Sequence, residues 1–88
     1  MTVRAERVEE WRVYILKCRD NTLYTGICKN LTRRISQHRA GTASRYTRGR
    51  GPVTLVYSER AKDRSSALRR ESEIKRMSRL AKTKLLST

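Results

Sequence analysis

The first strongly apolar run of the chain covers residues 13–16 and has a charged residue on each side. Four consecutive apolar side chains occupy both faces of a pleated strand, which predicts a central strand over 12–18 that is covered on two sides. The turn residues 20–22 separate it from a return strand predicted over 23–28. Gly26 lies inside that second strand, where a glycine usually marks a bulge or a close approach by another group.

The length of the turn decides whether Tyr14 and Tyr24 share a face of the sheet. A two-residue loop places the two side chains on opposite faces, whereas a three-residue loop places both on one face. We predict a three-residue loop formed by residues 20–22, which sets Tyr14 opposite Cys28 and Tyr24 opposite Cys18. The two cysteines are then about 13 Å apart along the strands, too far for a disulfide.

The segment after the hairpin has the periodicity of a helix. Asn30 is a favourable N-cap and Gly41 a favourable residue just beyond the end, which predicts a helix over 31–39. His38 falls on its apolar stripe, and Arg34 borders that stripe four residues earlier. We therefore expect both side chains to point along the edge of the sheet.

The rest of the chain is predicted to form a loop, a third strand and two further helices, over 41–52, 53–58, 64–77 and 80–86. In the first of these helices Glu71 falls on the apolar stripe, where a carboxylate is costly unless it is paired, protonated or bound to a cation. Lys75, one turn later, offers an ion-pair partner.

The 88 residues are enough for one domain, which we expect over 11–86 after a polar N-terminal arm over 1–10. The formal net charge of +14 is far more than folding needs and indicates a polyanionic partner. DNA is the first expectation, and RNA stays open. The residues expected to contact nucleic acid are Arg33, Arg45, Tyr46, Arg48, Arg50 and Lys75.

Four of these residues lie in the loop over 41–52, where basic side chains alternate with an aromatic one. Such a loop can hold phosphates and stack on a base, or it can be a plain flexible connector. The sequence favours neither interpretation over the other.

Composition also excludes several classes of protein. The chain has no apolar run near the roughly 20 residues of a membrane span and no signal-peptide pattern, so we expect a soluble, cytoplasmic protein with no membrane partner. Cys18 and Cys28 fit a reducing compartment, and neither has neighbours at metal-ligand spacing, so zinc is not expected.

Five side chains have the chemistry of a metal-assisted phosphodiester hydrolase. Glu71 can hold a hard divalent cation such as Mg²⁺ (or Mn²⁺), and Arg34 can stabilise charge that develops on a phosphate. His38, or Tyr14 or Tyr24 with a pKa lowered by nearby cations, can take a proton from the attacking water. Strand tyrosines and a single histidine on an apolar helix face more often serve in packing.

The chain resembles the GIY-YIG nuclease superfamily through four segments in order: VYI at 13–15, YTG at 24–26, NLTRRISQH at 30–38 and ALRRESEIK at 67–75. It is most similar to small, single-domain bacterial members. The resemblance implies an α+β fold, with a three-stranded antiparallel sheet flanked by helices in the order β-β-α-β-α-α. It also implies a divalent-metal-dependent endonuclease that hydrolyses DNA.

The resemblance assigns roles to the same five side chains. Tyr14 and Tyr24 match the tyrosines of the two family motifs, one of which acts as general base or positions the water. Arg34 matches the catalytic arginine, which stabilises the phosphate, and His38 matches a histidine found in many members. Glu71 matches the glutamate that binds the single metal ion.

The sequence also departs from the family pattern. Residues 13–15 read Val-Tyr-Ile in place of Gly-Ile-Tyr in the first motif, Thr25 stands where relatives often have Ile or Val, and no attached specificity module is expected. The alternative hypothesis is a nucleic-acid-binding module that keeps the scaffold without useful turnover, or that acts only within a complex.

Overall fold

The structure, a computed structural model, describes residues 10–87. Within that range the strands and helices are β1 (Arg12–Lys17), β2 (Leu23–Cys28), α1 (Leu31–Ala40), β3 (Thr54–Arg60), α2 (Arg64–Lys75) and α3 (Arg79–Leu86). This order confirms the expected α+β arrangement, β-β-α-β-α-α. The arm expected over 1–10 lies outside the described residues except for its last position.

β1 is the central strand of an antiparallel sheet with the order β2-β1-β3. Its residues 13–16 are fully buried because helices cover both faces of this strand, as the continuous apolar run predicts. The even-numbered side chains, Tyr14 and Leu16, pack on the face that α1 covers. The odd-numbered ones, Val13 and Ile15, pack on the face that α2 and α3 cover.

The helices begin and end at residues with suitable capping chemistry. The side chain of Asn30 accepts a hydrogen bond from Arg33 N at 2.9 Å, and Gly41 follows α1 with a φ of 80°. Asp63 and Ser78 cap α2 and α3 in the same way. β3 extends two residues beyond its predicted end, and α2 ends two residues before its own. Among the helices of residues 10–87, none has the length and apolar character needed to cross a membrane.

The hairpin turn has three residues, but it is formed by residues 19–21, one position earlier than predicted. Asn21 N donates to Cys18 O at 2.9 Å, and Cys18 N donates to Thr22 O at 2.9 Å, so Cys18 and Thr22 close the loop. Asn21 has a φ of 72°, the left-handed conformation that this type of loop requires at its last position. Asp20 Oδ1 accepts from the N–H and the hydroxyl of Thr22, which holds this turn.

The one-residue shift of the loop changes the partners across the hairpin. Tyr14 lies opposite Gly26, so the predicted pairing of Tyr14 with Cys28 is wrong, and so is that of Tyr24 with Cys18. The predicted loop and the observed loop both contain three residues, however, so the two tyrosines share one face as predicted. Their ring centroids are 6.4 Å apart. The two cysteines are free and buried.

Candidate active site

Tyr14 lies directly over Gly26 of the neighbouring strand. A Cβ atom at position 26 would be 2.5 Å from Tyr14 Oη and 2.7 Å from Tyr14 Cζ, much closer than van der Waals contact allows. Tyr14 has no solvent-exposed surface in this position. The glycine inside the second strand therefore marks a close approach by another group, which is one of its two predicted meanings.

His38 of α1 contacts both tyrosine rings. Its ring centroid is 5.7 Å from that of Tyr14 and 5.2 Å from that of Tyr24, and both contacts are edge-to-face. His38 is only 3% exposed. The three side chains that sequence analysis grouped thus converge on one face of the sheet, while their catalytic role stays a prediction.

A chain of hydrogen bonds runs through the buried part of this cluster. Tyr14 Oη is 2.8 Å from His38 Nε2, and His38 Nδ1 is 2.7 Å from Thr47 Oγ1. The Thr47 hydroxyl donates to Ser44 O at 3.4 Å, so its oxygen accepts from His38 Nδ1–H. Because a neutral imidazole has one N–H, His38 Nε2 is an acceptor and the Tyr14 hydroxyl is its donor.

Burial controls the ionisation of the two groups in this chain. It raises the pKa of Tyr14, and Arg34 beside the phenol opposes that rise only in part. The expectation of a tyrosine pKa lowered by cations is therefore wrong for Tyr14, because desolvation of a phenolate outweighs the nearby charge. Burial, and then the charge of Arg34, lowers the pKa of His38, which keeps the imidazole neutral at pH 7.

Arg34 lies at the edge of β2, as predicted from its position beside the apolar stripe. Its Nη1 donates to the carbonyl oxygen of Ile27 at 3.2 Å, and its Nε donates to Gln37 Oε1 at 3.1 Å. These two bonds use two of the five N–H groups of the guanidinium. The side chain is half-buried and lies beside the Tyr14 phenol.

Glu71 belongs to a different helix from Arg34 and His38. It lies on α2, whose buried residues Ala67 and Ile74 pack on the sheet face opposite Tyr14. The apolar stripe of α2 thus covers the face of the sheet opposite the tyrosine cluster, and the role of Glu71 as a metal ligand stays a prediction. Its side chain is 19% exposed, and Oε2 is 3.3 Å from Lys75 Nζ, the ion pair that the sequence offered.

The chemistry of the donor at Glu71 fits Mg²⁺ or Mn²⁺, since both prefer oxygen ligands. In the part of the chain from 10 to 87, no group of three or more His, Cys, Asp or Glu side chains is placed to hold a metal ion. Mg²⁺, however, often binds through one or two carboxylates and completes its shell with water and substrate phosphate oxygens. A single-carboxylate site at Glu71 is compatible with this behaviour, and the cofactor stays a prediction.

The loop over 41–52 packs against the tyrosine cluster. The Tyr46 ring centroid is 5.7 Å from that of Tyr24, and the Arg50 guanidinium lies 4.1 Å from the Tyr46 centroid. Arg50 also donates to Tyr46 O at 2.6 Å and to Asp20 Oδ2 at 3.2 Å, which ties the loop to the hairpin turn. These contacts argue against the interpretation of the loop as a plain flexible connector.

The remaining residues expected to contact nucleic acid lie on the surface. Arg33, Arg45, Arg48 and Lys75 are exposed, whereas Arg50 is half-buried by the contacts just described. Their exposure leaves the four side chains accessible to a polyanion. Binding of nucleic acid by these residues stays a prediction.

Thr47 is the member of the cluster that sequence analysis missed. It is 2% exposed and fixes the tautomer of His38, yet it lies in an irregular loop where neither helical nor strand periodicity applies. A threonine among glycines and arginines gives no signal of burial. Only the course of the loop back over α1 brings it to the histidine.

Comparisons with known proteins agree with the fold. A family model described as the GIY-YIG catalytic domain matches residues 10–84. A UPF0213 protein of Natronomonas pharaonis is 51% identical over 75 residues, which cover 85% of this chain and 88% of that protein. A UPF0213 protein of Staphylococcus haemolyticus is 51% identical over 74 residues, which cover 84% of this chain and 90% of that protein.

Two solution NMR structures resemble this one. The UPF0213 protein of Bacillus halodurans has a TM-score of 0.58 at 42% identity, with 89% of this chain and 83% of that chain covered. A protein of E. faecalis has a TM-score of 0.62 at 31% identity, with 90% of this chain and 84% of that chain covered. The three-stranded sheet with its flanking helices is therefore shared with solved relatives.

Proposed function

The chain belongs to the family of GIY-YIG catalytic domains, and we propose that it is an endonuclease that hydrolyses DNA phosphodiester bonds with a divalent metal ion. One observation carries the proposal. Tyr14, Tyr24 and His38 converge on one face of the sheet, where Tyr14 lies over Gly26, and Arg34 lies at the edge of the same strand. This arrangement combines a phosphate-binding cation with phenol groups that can orient water.

Arg34 binds the scissile phosphate in this proposal. Its hydrogen bonds to Ile27 and Gln37 fix the guanidinium, so that the remaining N–H groups are preorganised for phosphate oxygens. A fixed cation in a half-buried position stabilises developing negative charge better than a mobile one in water, because little reorganisation is needed.

Tyr24 is the tyrosine that contacts the attacking water. It is half-buried, whereas Tyr14 has no exposed surface and already donates to His38. Both ring nitrogens of His38 are engaged, so His38 and Tyr14 hold the Tyr24 ring in place through their ring contacts. We therefore assign Tyr24 to the reacting centre, and Tyr14 and His38 to its positioning.

Glu71 is the residue that would hold Mg²⁺ or Mn²⁺. A metal ion bound there would supply a Lewis acid for the phosphate and would lower the pKa of a bound water. α2 carries Glu71 and packs on one face of the sheet, while Arg34 reaches the outer edge of β2 from the other. Since both elements border β2, we place the scissile phosphate at the outer edge of that strand.

Cleavage of plasmid, single-stranded, flapped and branched DNA in Mg²⁺ or Mn²⁺ tests this proposal. Arg34→Ala and Glu71→Ala should each lower the cleavage rate by about 100-fold or more, as removal of a group that stabilises the transition state does. The matched controls are Arg39→Ala on α1 and Glu73→Ala on α2, both exposed, which should leave the rate nearly unchanged. Cleavage that survives both site substitutions would refute the site.

The fold of Glu71→Gln provides a second test. If Glu71 serves as a metal ligand, the neutral amide should leave the circular dichroism spectrum and the thermal midpoint close to those of the wild type. Loss of the fold would instead show that Glu71 is a structural partner of Lys75.

A non-catalytic nucleic-acid-binding module is the second candidate, and one observation favours it. The apolar residues of α2 pack on the sheet face opposite Tyr14 and Tyr24, and the Glu71 carboxylate is already paired with Lys75. Salt-sensitive DNA binding without cleavage of any substrate would establish this alternative. The same assays with RNA strands of matched structure decide which nucleic acid is the target.

A further inference from the structure

A groove of about 410 Å³ lies beside Arg34 at the edge of β2. Lys29, Arg33, Arg34 and Arg64 line it together with Trp11, and none of the described residues that line it is acidic. Its volume falls within the range of about 300–1,000 Å³ that is usual for small-ligand sites. We propose that this groove binds one nucleotide of a nucleic-acid strand, with the phosphate on the cations and the base stacked on Trp11.

The cations of the groove are not neutralised by carboxylates of the described chain. Between residues 10 and 87 the ion pairs engage other cations: Arg12, Arg50, Arg60, Arg70 and Lys75. Lys29, Arg33 and Arg64 are exposed, and they repel one another across the groove. A phosphodiester relieves this repulsion and offers two oxygens to the planar guanidinium groups.

Trp11 gives the groove an aromatic side. It is half-buried, with part of its ring packed on the core cluster that contains Val13 and Ile15, and it also borders the groove. Lys29 Nζ is 5.8 Å from the ring centroid, at the outer limit of a cation–π contact. The flexible lysine can exchange this weak contact for a phosphate, which leaves the ring to a base.

The position of the groove defines the class of substrate. Arg34 lines the groove and also reaches the edge of β2. The bound nucleotide would therefore flank the scissile phosphate, an inference that rests on the proposed function. A base that stacks on Trp11 cannot remain stacked within a duplex. The groove therefore favours a strand with an unpaired or frayed base next to the cut.

Trp11 is the only tryptophan of the chain, so its fluorescence reports directly on the groove. We would titrate the wild-type protein, without metal, with a short oligothymidylate and with an abasic strand that has the same number of phosphates. Thymidylate should change the Trp11 emission and bind about 5- to 150-fold more tightly than the abasic strand, as expected for a stacked base. Equal affinity and equal emission for the two strands would overturn the inference.

Substitution of the cations tests the phosphate side of the groove without altering Trp11. Arg33→Gln with Arg64→Gln should reduce the slope of log affinity against log salt by about 0.7 for each phosphate that the variant no longer binds. The matched control, Arg39→Gln with Arg69→Gln, removes the same charge from exposed positions of the same two helices. An equal change of slope in both double variants would show that only the net charge matters and would refute a specific groove.

The two proposals fail in different ways. If the wild type cleaves DNA while Trp11 emission is the same with both strands, the groove inference is wrong and the nuclease proposal stands. If the emission responds to the base but no strand is cleaved in Mg²⁺ or Mn²⁺, the groove stands and the nuclease proposal fails.

Discussion

The close approach of Tyr14 to Gly26 predicts that Gly26→Ala is strongly destabilising. The new Cβ would lie 2.5 Å from Tyr14 Oη and 2.7 Å from Cζ. Tyr14 cannot move aside easily, because it is fully buried and its hydroxyl donates to His38 at 2.8 Å. Overpacking in a core costs about 1–3 kcal/mol, and a buried hydrogen-bonding group without its partner costs about 1–3 kcal/mol more. Alanine restricts the unfolded chain, which offsets about 0.4–1 kcal/mol.

We therefore expect the free energy of unfolding to fall by about 1–6 kcal/mol in Gly26→Ala, measured by urea denaturation with circular dichroism. Gly51→Ala is the matched control, since a Cβ at that position meets no atom within 4 Å. The destabilisation should also shrink in a Tyr14→Leu background, where the clashing phenol is absent. A Gly26→Ala protein as stable as Gly51→Ala would refute the reasoning.

Three further predictions concern the buried groups. Thr47→Val should destabilise the fold by about 1–3 kcal/mol in urea, because it leaves His38 Nδ1 without an acceptor, and Thr47→Ser should restore most of that stability. The pKa of His38 is lowered in the folded state, so the unfolded chain takes up a proton at a higher pH than the folded protein does. The free energy of unfolding should therefore fall as the pH drops below about 6.5. His38→Gln should flatten this pH dependence. Cys18 and Cys28 should react slowly with a thiol reagent in the folded protein and rapidly in urea, because both are buried and burial raises the pKa of Cys28.

The hairpin shows how far periodicity alone can determine a site. The parity of the loop places Tyr14 and Tyr24 on one face, and any odd loop gives the same result. The actual register depends on Asn21, which accepts a left-handed conformation, and on the hydrogen bonds that Asp20 makes to Thr22. The pattern of strand residues carries no information about these turn contacts, so it could not select between neighbouring three-residue loops.

The two sides of the candidate site differ in predictability for a related reason. His38 and Arg34 follow β2 after a short connection, so their face is fixed by the hairpin and by the Asn30 cap. Glu71 lies on a helix that follows β3, and periodicity shows that its stripe is buried without showing which face of the sheet the stripe covers. Thr47 depends on the course of a loop, which has no period at all.

The outer edge of β2 is the element on which these features depend together. An edge strand exposes unpaired carbonyl and N–H groups, which invite pairing with another chain unless side chains cover them. Arg34 covers the carbonyl of Ile27, and the absence of a side chain at Gly26 allows Tyr14 to reach across the strand. The hydrogen bond that protects the edge thus also holds a cation beside the tyrosine cluster and the basic groove. Replacement of Arg34 would expose the edge and remove the phosphate-binding group at once, so binding data for such a variant need a parallel measurement of its oligomeric state.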